Sequence, residues 1–321
     1  MNARPVVFVT RKLPDAVTGR LSASYEARLN PEDRIRSMPE IIAGAAGADA
    51  LLVCPTDKLT AEAIEVLPRS IRIVATFSVG FEHINLGAAK ERGIVVTNTP
   101  DVLTDATADI TLLLLLGAAR RAHEGEQIIR QDAWNSWGTT YMLGVHVTGK
   151  RLGILGMGRI GQAVAKRARG FDMTIHYSNR RRLPPEQEAG AIYHADPNDM
   201  LPHCDFLSIN CPASPETYHF LNAERIALLP DGAIVVNTAR GAVVDDGALI
   251  AALNSGKLWA AGLDVYENEP KIHPGYRPIK NAFLLPHLGS ATVETRNAMG
   301  FKCLDNLDAF FDRREPPDRL V

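Results

Sequence analysis

Cysteine is scarce in this sequence, and neither sign of charge is in clear excess. The 321 residues include four cysteines, which form no CxxC pair and no metal-ligand spacing, so we expect reduced thiols and no bound metal. The formal net charge of -2 leaves no basic surplus for nucleic acid or an anionic membrane. The composition therefore favours small molecules as partners.

Long apolar runs are also lacking. Near the start, a run of four apolar residues ends in charge, which is too short for the core of a signal peptide. The most apolar segment, residues 110–119, is flanked by Asp109 and Arg120 and is about half as long as the roughly 20 residues of a membrane span. We therefore expect a cytoplasmic protein in which this segment is a buried helix.

Short apolar runs rich in Val and Ile recur between polar helical stretches, as in parallel sheets that are buried on both faces. Four runs precede a helical segment at about residues 101–121 and six follow it; they begin at residues 6, 50, 71, 93, 151, 173, 206, 233, 260 and 282. Six strands with crossovers make a dinucleotide-binding sheet, and four make a smaller domain. The pattern predicts an α/β fold with two Rossmann-like, doubly wound parallel-sheet domains.

The C-terminal stretch is helical in pattern from about residue 288 and needs a partner. We expect it to return to the first domain, which then becomes discontinuous. The predicted division is a substrate and catalytic domain, residues 1–99 plus 288–321, and a dinucleotide-binding domain, residues 100–287.

A glycine motif follows the first strand of the predicted dinucleotide-binding domain and opens a helix. Gly156, Gly158 and Gly161 have GxGxxG spacing, in which the first permits a tight turn, the second lets the backbone approach a pyrophosphate, and the third lets helix pack on strand. The helix N-terminus attracts phosphate charge. The motif predicts dinucleotide binding by residues 156–161, which include Met157, Arg159 and Ile160.

The next strand ends at Ser178. In this type of fold, the carboxyl end of that strand faces the adenosine ribose. An acidic residue there favours NAD, whereas arginine favours the 2′-phosphate of NADP. This chain has Asn179, Arg180, Arg181 and Arg182, so we expect NADPH to be preferred over NADH. Arg182 is farther from the tip and is expected to contribute less. The alternative is a solvated basic turn.

Five segments resemble motifs of the D-isomer-specific 2-hydroxyacid dehydrogenases, in the order of that family and along nearly the whole chain. They are residues 77–84, 156–161, 235–249, 262–270 and 284–292. The chain most resembles the NADPH-dependent glyoxylate/hydroxypyruvate reductases. The resemblance implies two α/β domains with a cleft between them, a homodimer, and a catalytic arginine, glutamate and histidine.

The family's three catalytic residues match Arg240, Glu269 and His287. Reduction of a 2-keto acid needs such a set, because Arg240 can bind the carboxylate with two donors and polarise the ketone. His287 is the candidate acid, and Glu269 would orient it and favour its protonated form.

Further contacts follow from the resemblance alone. The backbone N–H groups of Val79 and Gly80 match the family's substrate loop. Cys211 is expected to be a cofactor neighbour rather than a nucleophile. The other expected cofactor contacts outside the glycine motif and the arginine turn are Pro212, Thr217, Thr238, Ala239, Asp264 and Gly289.

Residues 133–144 carry Trp134, Trp137 and Tyr141. Family members use this region as an arm over the partner subunit, and aromatic residues are favoured in interface cores. The alternative is a hydrophobic cover within one chain.

The leading interpretation is NADPH-dependent reduction of glyoxylate and hydroxypyruvate. Reduction of 2-ketogluconate stays open, as do D-lactate and phosphoglycerate dehydrogenation, although the arginines disfavour these usually NAD-linked activities. A different class is a nucleotide-sensing protein like the C-terminal-binding corepressors, which would not consume NADPH with any 2-keto acid.

Overall fold

The chain folds into two compact units in a computed structural model that describes residues 4–321. One unit contains the chain up to Leu103 together with Ala291–Val321, and the other is Thr104–Ser290. The sequence-based division placed the two crossings at residues 99/100 and 287/288, and its first three residues lie outside the described part. Among the described residues, no helix combines the length and the apolar composition that crossing a bilayer requires.

The described part of the first unit contains a five-stranded parallel sheet with strand order β2-β1-β3-β4-β5. Every residue of β3 and β4 is buried, because helices and loops cover both faces of the sheet. The strands are β1 (Val6–Val9), β2 (Glu26–Arg28), β3 (Ala50–Val53), β4 (Ile73–Thr76) and β5 (Val95–Thr97). The helices between them are α1 (Asp15–Ser24), α2 (Met38–Gly44), α3 (Ala61–Val66) and α4 (Leu86–Glu91).

The second unit contains a seven-stranded parallel sheet with strand order β12-β11-β10-β9-β6-β7-β8. Its strands are β6 (Arg151–Leu155), β7 (Thr174–Ser178), β8 (Ile192–His194), β9 (Phe206–Ile209), β10 (Ala233–Asn237), β11 (Leu258–Leu263) and β12 (Ala282–Leu284). Its α-helices are α5 (Thr104–Ala119), α6 (Ala122–Arg130), α7 (Arg159–Ala168), α8 (Pro185–Glu188), α9 (Pro197–Met200), α10 (Ala223–Leu228) and α11 (Asp246–Ser255). Its 3₁₀ turns are Arg169–Phe171, Leu201–His203, Gly241–Val243 and Pro274–Tyr276.

The order of the second sheet reverses between β6 and β9. In open parallel sheets, ligands bind beyond the carboxyl ends of the strands at such a switch point. Two parallel α/β sheets with this organisation confirm the predicted fold class.

Two strands were missed in the sequence, because the expected four and six strands are five and seven in the structure. The missed strands are β2 and β8, each three residues long and each at the edge of its sheet. No residue of either strand is buried, so neither forms the apolar run that marks a central strand.

Helix α5 contains the apolar segment at residues 110–119 and packs on the second sheet, as expected for a buried helix. Gly262 of β11 allows the close approach. A Cβ at this position would lie 2.8 Å from the carbonyl oxygen of Leu114. The helix backbone therefore rests almost directly on the strand.

The last helix, α12 (Val293–Phe311), belongs to the first unit. It begins after Thr292, whose hydroxyl accepts from the backbone N–H of Thr295. Its buried face joins the core formed with β1, β3, β4 and α1, through Met299, Cys303, Leu304 and Leu307.

We predict that Gly262→Ala destabilises the protein by about 1–3 kcal/mol, because the new methyl group must displace the backbone of α5. The measurement is the free energy of unfolding in urea. Gly125→Ala is the matched control, since Gly125 lies inside α6 with no atom within 4 Å of the added Cβ. Alanine should stabilise that helix by about 0.5–1 kcal/mol. Equal effects of the two changes would refute this account of the packing of α5.

Candidate active site

The three glycines of the GxGxxG motif occupy different environments. Gly156 has a φ of 92°, and a Cβ there would lie 2.6 Å from the backbone nitrogen of Cys211. A Cβ at Gly161 would lie 2.5 Å from the carbonyl oxygen of Gly156. Gly158, in contrast, precedes the first residue of α7 and faces open space. The outer two glycines thus serve the packing of the loop, and the middle one leaves room for a ligand at the helix N-terminus.

Asn179 follows β7 and points its side chain at the glycine loop. Its Oδ1 accepts from the backbone N–H of Met157 at 2.6 Å, and its own carbonyl accepts from the hydroxyl of Tyr193. This amide therefore fixes the loop in addition to any contact it makes with a ribose.

The three consecutive arginines have different surroundings. Arg182 forms a bidentate pair with Glu188, at 2.8 and 3.0 Å, and its guanidinium lies 5.7 Å from the ring centre of Tyr193. Arg180 and Arg181 are exposed, and within residues 4–321 no carboxylate forms an ion pair with either. Two guanidinium groups at the tip of β7 thus face solvent, while the third braces the turn.

The three predicted catalytic residues follow neighbouring strands. Arg240 comes after β10, Glu269 after β11 and His287 after β12, and these strands are adjacent in the sheet. Parallel strands end at one edge, so their loops are brought together there. The Nδ1 of His287 lies 2.7 Å from the Oε2 of Glu269.

The Glu269 carboxylate is held on both oxygens. Its Oε1 accepts from the backbone N–H of Tyr266 at 2.8 Å, and its Oε2 faces His287. Burial raises the pKa of Glu269, but the hydrogen bond and charge of His287, the Tyr266 N–H and the charge of Arg240 together bring it below its usual value. An ionised carboxylate only accepts, so Nδ1 carries a proton and Nε2 remains for exchange with a substrate.

Asp264 supports the turn that carries His287. Its buried carboxylate accepts from the backbone N–H groups of Leu288 and Gly289, at 2.6 and 2.7 Å. Its backbone carbonyl accepts from the backbone N–H of His287 at 2.8 Å. Burial raises the pKa of Asp264 more than these two backbone bonds lower it. Asp264 and Gly289, which are expected as cofactor neighbours, hold the turn of His287 together in this structure.

Asn237, which the sequence analysis did not single out, organises the loop of Arg240. Its Oδ1 accepts from the N–H of Ala239 and its Nδ2 donates to the carbonyl of Arg240, at 3.0 and 2.9 Å. The Nη1 of Arg240 donates to the carbonyl of Ala239 at 2.7 Å. The sequence did contain a signal for this role, since Asn237 is the one polar residue at the end of an apolar strand.

Two threonines of α5 also reach the site, although helical periodicity alone did not reveal them. The hydroxyl of Thr111 lies 2.8 Å from that of Thr238, and the hydroxyl of Thr107 donates to the carbonyl of Gly289 at 3.1 Å. Polar residues at i and i+4 in an apolar helix were the only hint.

The loop after β9 is closed by its own polar groups. The hydroxyl of Thr217 donates to the carbonyl of Pro212 and accepts from the N–H of Ser214, each at 2.8 Å. Cys211 is buried at the start of this loop, and burial raises the pKa of its thiol to about 11. A neutral thiol is a poor nucleophile, and Cys211 remains a predicted cofactor neighbour.

The expected substrate loop belongs to the first unit. The carbonyl of Val79 accepts from the Nδ2 of Asn98 at 2.7 Å, and the carbonyl of Gly80 accepts from the hydroxyl of Ser78. Because a trans peptide directs N–H and C=O to opposite sides, the N–H of Gly80 points away from Asn98. Val79 and Gly80 remain predicted substrate contacts.

The aromatic residues of the expected arm are exposed. Trp134 is 57% exposed, Trp137 77% and Tyr141 45%. These values disagree with the alternative of a hydrophobic cover within one chain.

Residues 112–289, more than half of the chain, match the family model for the D-isomer specific 2-hydroxyacid dehydrogenase, NAD binding domain. The chain belongs to the D-isomer specific 2-hydroxyacid dehydrogenase family. It is therefore an oxidoreductase with a nicotinamide-dinucleotide-binding domain, and the resemblance seen in its motifs is confirmed.

Three similar proteins illustrate the relationship. A glycerate dehydrogenase of Hyphomicrobium methylovorum is 44% identical over 307 residues, which cover 95% of each chain. A glyoxylate reductase of Thermococcus litoralis is 42% identical over 320 residues, or 98% of this chain and 96% of the relative. The structure of an NADPH-dependent glyoxylate/hydroxypyruvate reductase from Sinorhizobium meliloti, in complex with NADP and malonate, has 34% identity and a TM-score of 0.89, covering 99% and 97% of the two chains.

We predict that Gly158→Ala weakens dinucleotide binding at least about tenfold, or about 1.4 kcal/mol, while the stability of the fold is kept. The added methyl group meets no protein atom but occupies the space into which a pyrophosphate must come. The measurements are a fluorescence titration with NADPH and urea unfolding. Gly156→Ala is the comparison and should lose stability, because its φ is positive and its Cβ overlaps Cys211. Unchanged affinity of Gly158→Ala for NADPH would show that the pyrophosphate does not bind at this loop.

Proposed function

We propose that this dehydrogenase reduces small 2-keto acids with NADPH, and that glyoxylate and hydroxypyruvate are its substrates. The observation that carries the proposal is the Glu269–His287 pair, which lies beside Arg240 at the carboxyl ends of adjacent strands. The names of the similar glyoxylate and glyoxylate/hydroxypyruvate reductases support this choice of substrates.

The residues present fit a dinucleotide. The open space at Gly158 would accept the pyrophosphate at the N-terminus of α7, and Cys211, Pro212, Thr238 and Asp264 lie at neighbouring strand ends. A bound NADPH supplies the hydride for the keto carbon. Nothing among the protein's side chains is needed to carry electrons.

The chain's own residues bind the substrate and supply the proton. Arg240 binds the keto acid's carboxylate with two parallel donors and polarises the carbonyl. The Nε2–H of protonated His287 donates its proton to the carbonyl oxygen, which becomes the hydroxyl of the product. Glu269 keeps the imidazole oriented, since its Oε2 lies 2.7 Å from Nδ1. In the direction of oxidation, His287 takes the same proton back.

The preference for NADPH rests on Arg180 and Arg181. Both guanidinium groups are exposed at the tip of β7, where a fold of this kind places the adenosine ribose. A 2′-phosphate there would accept charge-assisted hydrogen bonds from both residues.

The proposal also covers the role of the first unit, the oligomeric state and the cellular location. The first unit serves as the substrate domain through Val79 and Gly80. Two copies of the chain form a homodimer, which is supported by the exposure of Trp134, Trp137 and Tyr141. The enzyme acts in the cytoplasm, which is supported by its four unpaired cysteines.

We predict that His287→Ala lowers kcat for glyoxylate by about 10²–10⁴-fold, the usual contribution of general acid catalysis, with little change in NADPH affinity. The measurements are steady-state kinetics and a fluorescence titration of NADPH. A loss of less than tenfold in kcat would remove His287 from this role.

Glu269→Gln is the matched variant and should be milder. It keeps a hydrogen-bond acceptor but removes the negative charge beside His287, so the reductive activity should fall off at a lower pH than in the wild type. A pH profile identical to the wild type would contradict the pairing. A wild-type protein that oxidises NADPH with no 2-keto acid would favour a nucleotide sensor instead.

We further predict that the combined variant Asn179→Asp, Arg180→Ser and Arg181→Ser reverses the cofactor preference. Each lost arginine contact is worth about 1.5–3 kcal/mol, or roughly one to two decades of preference for NADPH. The new carboxylate can still accept from Met157 and can also accept from the free 2′-hydroxyl of NADH. The measurement is kcat/KM for both cofactors with glyoxylate at one ionic strength, because salt screens these charges.

Lys166→Gln with Lys280→Gln is the control, since it removes two exposed cations from the same unit without altering the tip of β7. Its preference should equal that of the wild type. A wild-type enzyme that prefers NADH would overturn the cofactor assignment.

A further inference from the structure

A second histidine–carboxylate pair lies among the loops that build the catalytic site. The Nε2 of His219 is 3.2 Å from each carboxylate oxygen of Glu267, and the hydroxyl of Tyr218 donates to Oε1 of the same carboxylate at 3.2 Å. Two neighbouring residues of the loop after β9 thus bind one carboxylate of the loop after β11. None of the three residues has a part in the proposed proton transfer.

The backbone of the loop after β9 is shaped for this contact. His219 has a φ of 46°, in the left-handed region that is uncommon for residues other than glycine but that asparagine, aspartate and histidine adopt more often than the rest. This conformation lets the rings of Tyr218 and His219 stack, with centroids 4.0 Å apart and planes 15° from parallel. The N–H of His219 donates to the carbonyl of Ala242 at 2.8 Å, which ties the same residue to the loop after β10.

Glu267 is also confined on its backbone side. A Cβ at Gly241 would overlap the carbonyl of Tyr266 and the nitrogen of Glu267, so the loop after β10 lies directly against this peptide. The backbone N–H of Tyr266 donates to the Glu269 carboxylate. The segment from Tyr266 to Glu269 is therefore held by Gly241 from one loop and by Tyr218 and His219 from another.

We infer that Glu267 is a positioning residue, which Tyr218 and His219 hold in place so that the segment of Glu269 keeps its distance to His287. The inference rests on the proposed function, since it concerns the geometry of the proposed proton donor. An ordinary pair with 30% and 25% exposed side chains contributes little to stability. The effect of this pair is expected in turnover, because a misplacement of about 1 Å at a reacting group costs up to about 10²-fold in rate.

The test is a double-mutant cycle of Glu267→Ala and Glu269→Gln, measured as kcat and KM for glyoxylate at saturating NADPH. Glu267→Ala should lower kcat about tenfold or more, with KM nearly unchanged because Arg240 is untouched. In the Glu269→Gln background, the same change should have almost no further effect, since the two residues act through one geometry. Glu267→Gln, which keeps an acceptor for Tyr218, should recover most of the activity.

His219→Asn changes the other partner of the contact, so it tests the inference even where Glu267→Ala does not fold. Asparagine tolerates a positive φ, so the loop is preserved while the imidazole is lost. This variant should lower kcat in the same way and should also lose its effect in the Glu269→Gln background.

Asp231→Ala is the control and should leave kcat unchanged. Asp231 precedes β10 and forms an ion pair with Lys257, which precedes β11, so the pair lies at the amino ends of these strands, away from the site. Unchanged kcat in Glu267→Ala and His219→Asn, beside a His287→Ala enzyme that is inactive, would overturn this inference alone. Effects that simply multiply with those of Glu269→Gln would also overturn it. A wild-type protein without keto-acid reduction would overturn the proposed function and this inference together.

Discussion

The hydrogen bond between Glu269 and His287 joins two loops that come from different strands. Its 2.7 Å length is therefore maintained only while β11 and β12 keep their register and both loops are held in place. The surrounding contacts serve this need, because the Tyr266 N–H holds the carboxylate and Asp264 holds the turn of the imidazole. In the proposed mechanism, a flexible pair would place the imidazole at many distances from the substrate, and few of them would suit proton transfer.

Glycine has a special part at this edge of the sheet, because it lets one loop touch the backbone of another. Gly156 approaches Cys211 in this way, and Gly241 approaches Tyr266. Contacts between backbones leave no side chain that can rotate to absorb a displacement. A shift in one loop is therefore passed to its neighbour, which keeps the glycine loop, the arginine loop and the glutamate loop in a common frame.

Much of this arrangement was predictable from the sequence, since buried parallel strands are marked by apolar runs and the glycine motif by its spacing. Arg240, Glu269 and His287 follow such runs within a few residues of each strand's end, so sheet order brings them together. The edge strands β2 and β8 were missed, because partly exposed strands carry no apolar run. Contacts between loops were also missed, since they depend on which loops meet in three dimensions and no local pattern records that.

The brace between Arg182 and Glu188 has a consequence for substitutions in the turn after β7. The turn after β7 owes its shape to this bidentate pair and to the ring of Tyr193, whereas Arg180 and Arg181 are exposed and form no ion pair within residues 4–321. The part that maintains shape and the part exposed to a ligand are thus separate side chains in one short segment. Under the proposed cofactor assignment, substitutions at the two exposed positions would change which nicotinamide dinucleotide is preferred, while the pair of Arg182 and Glu188 would keep the fold of the turn.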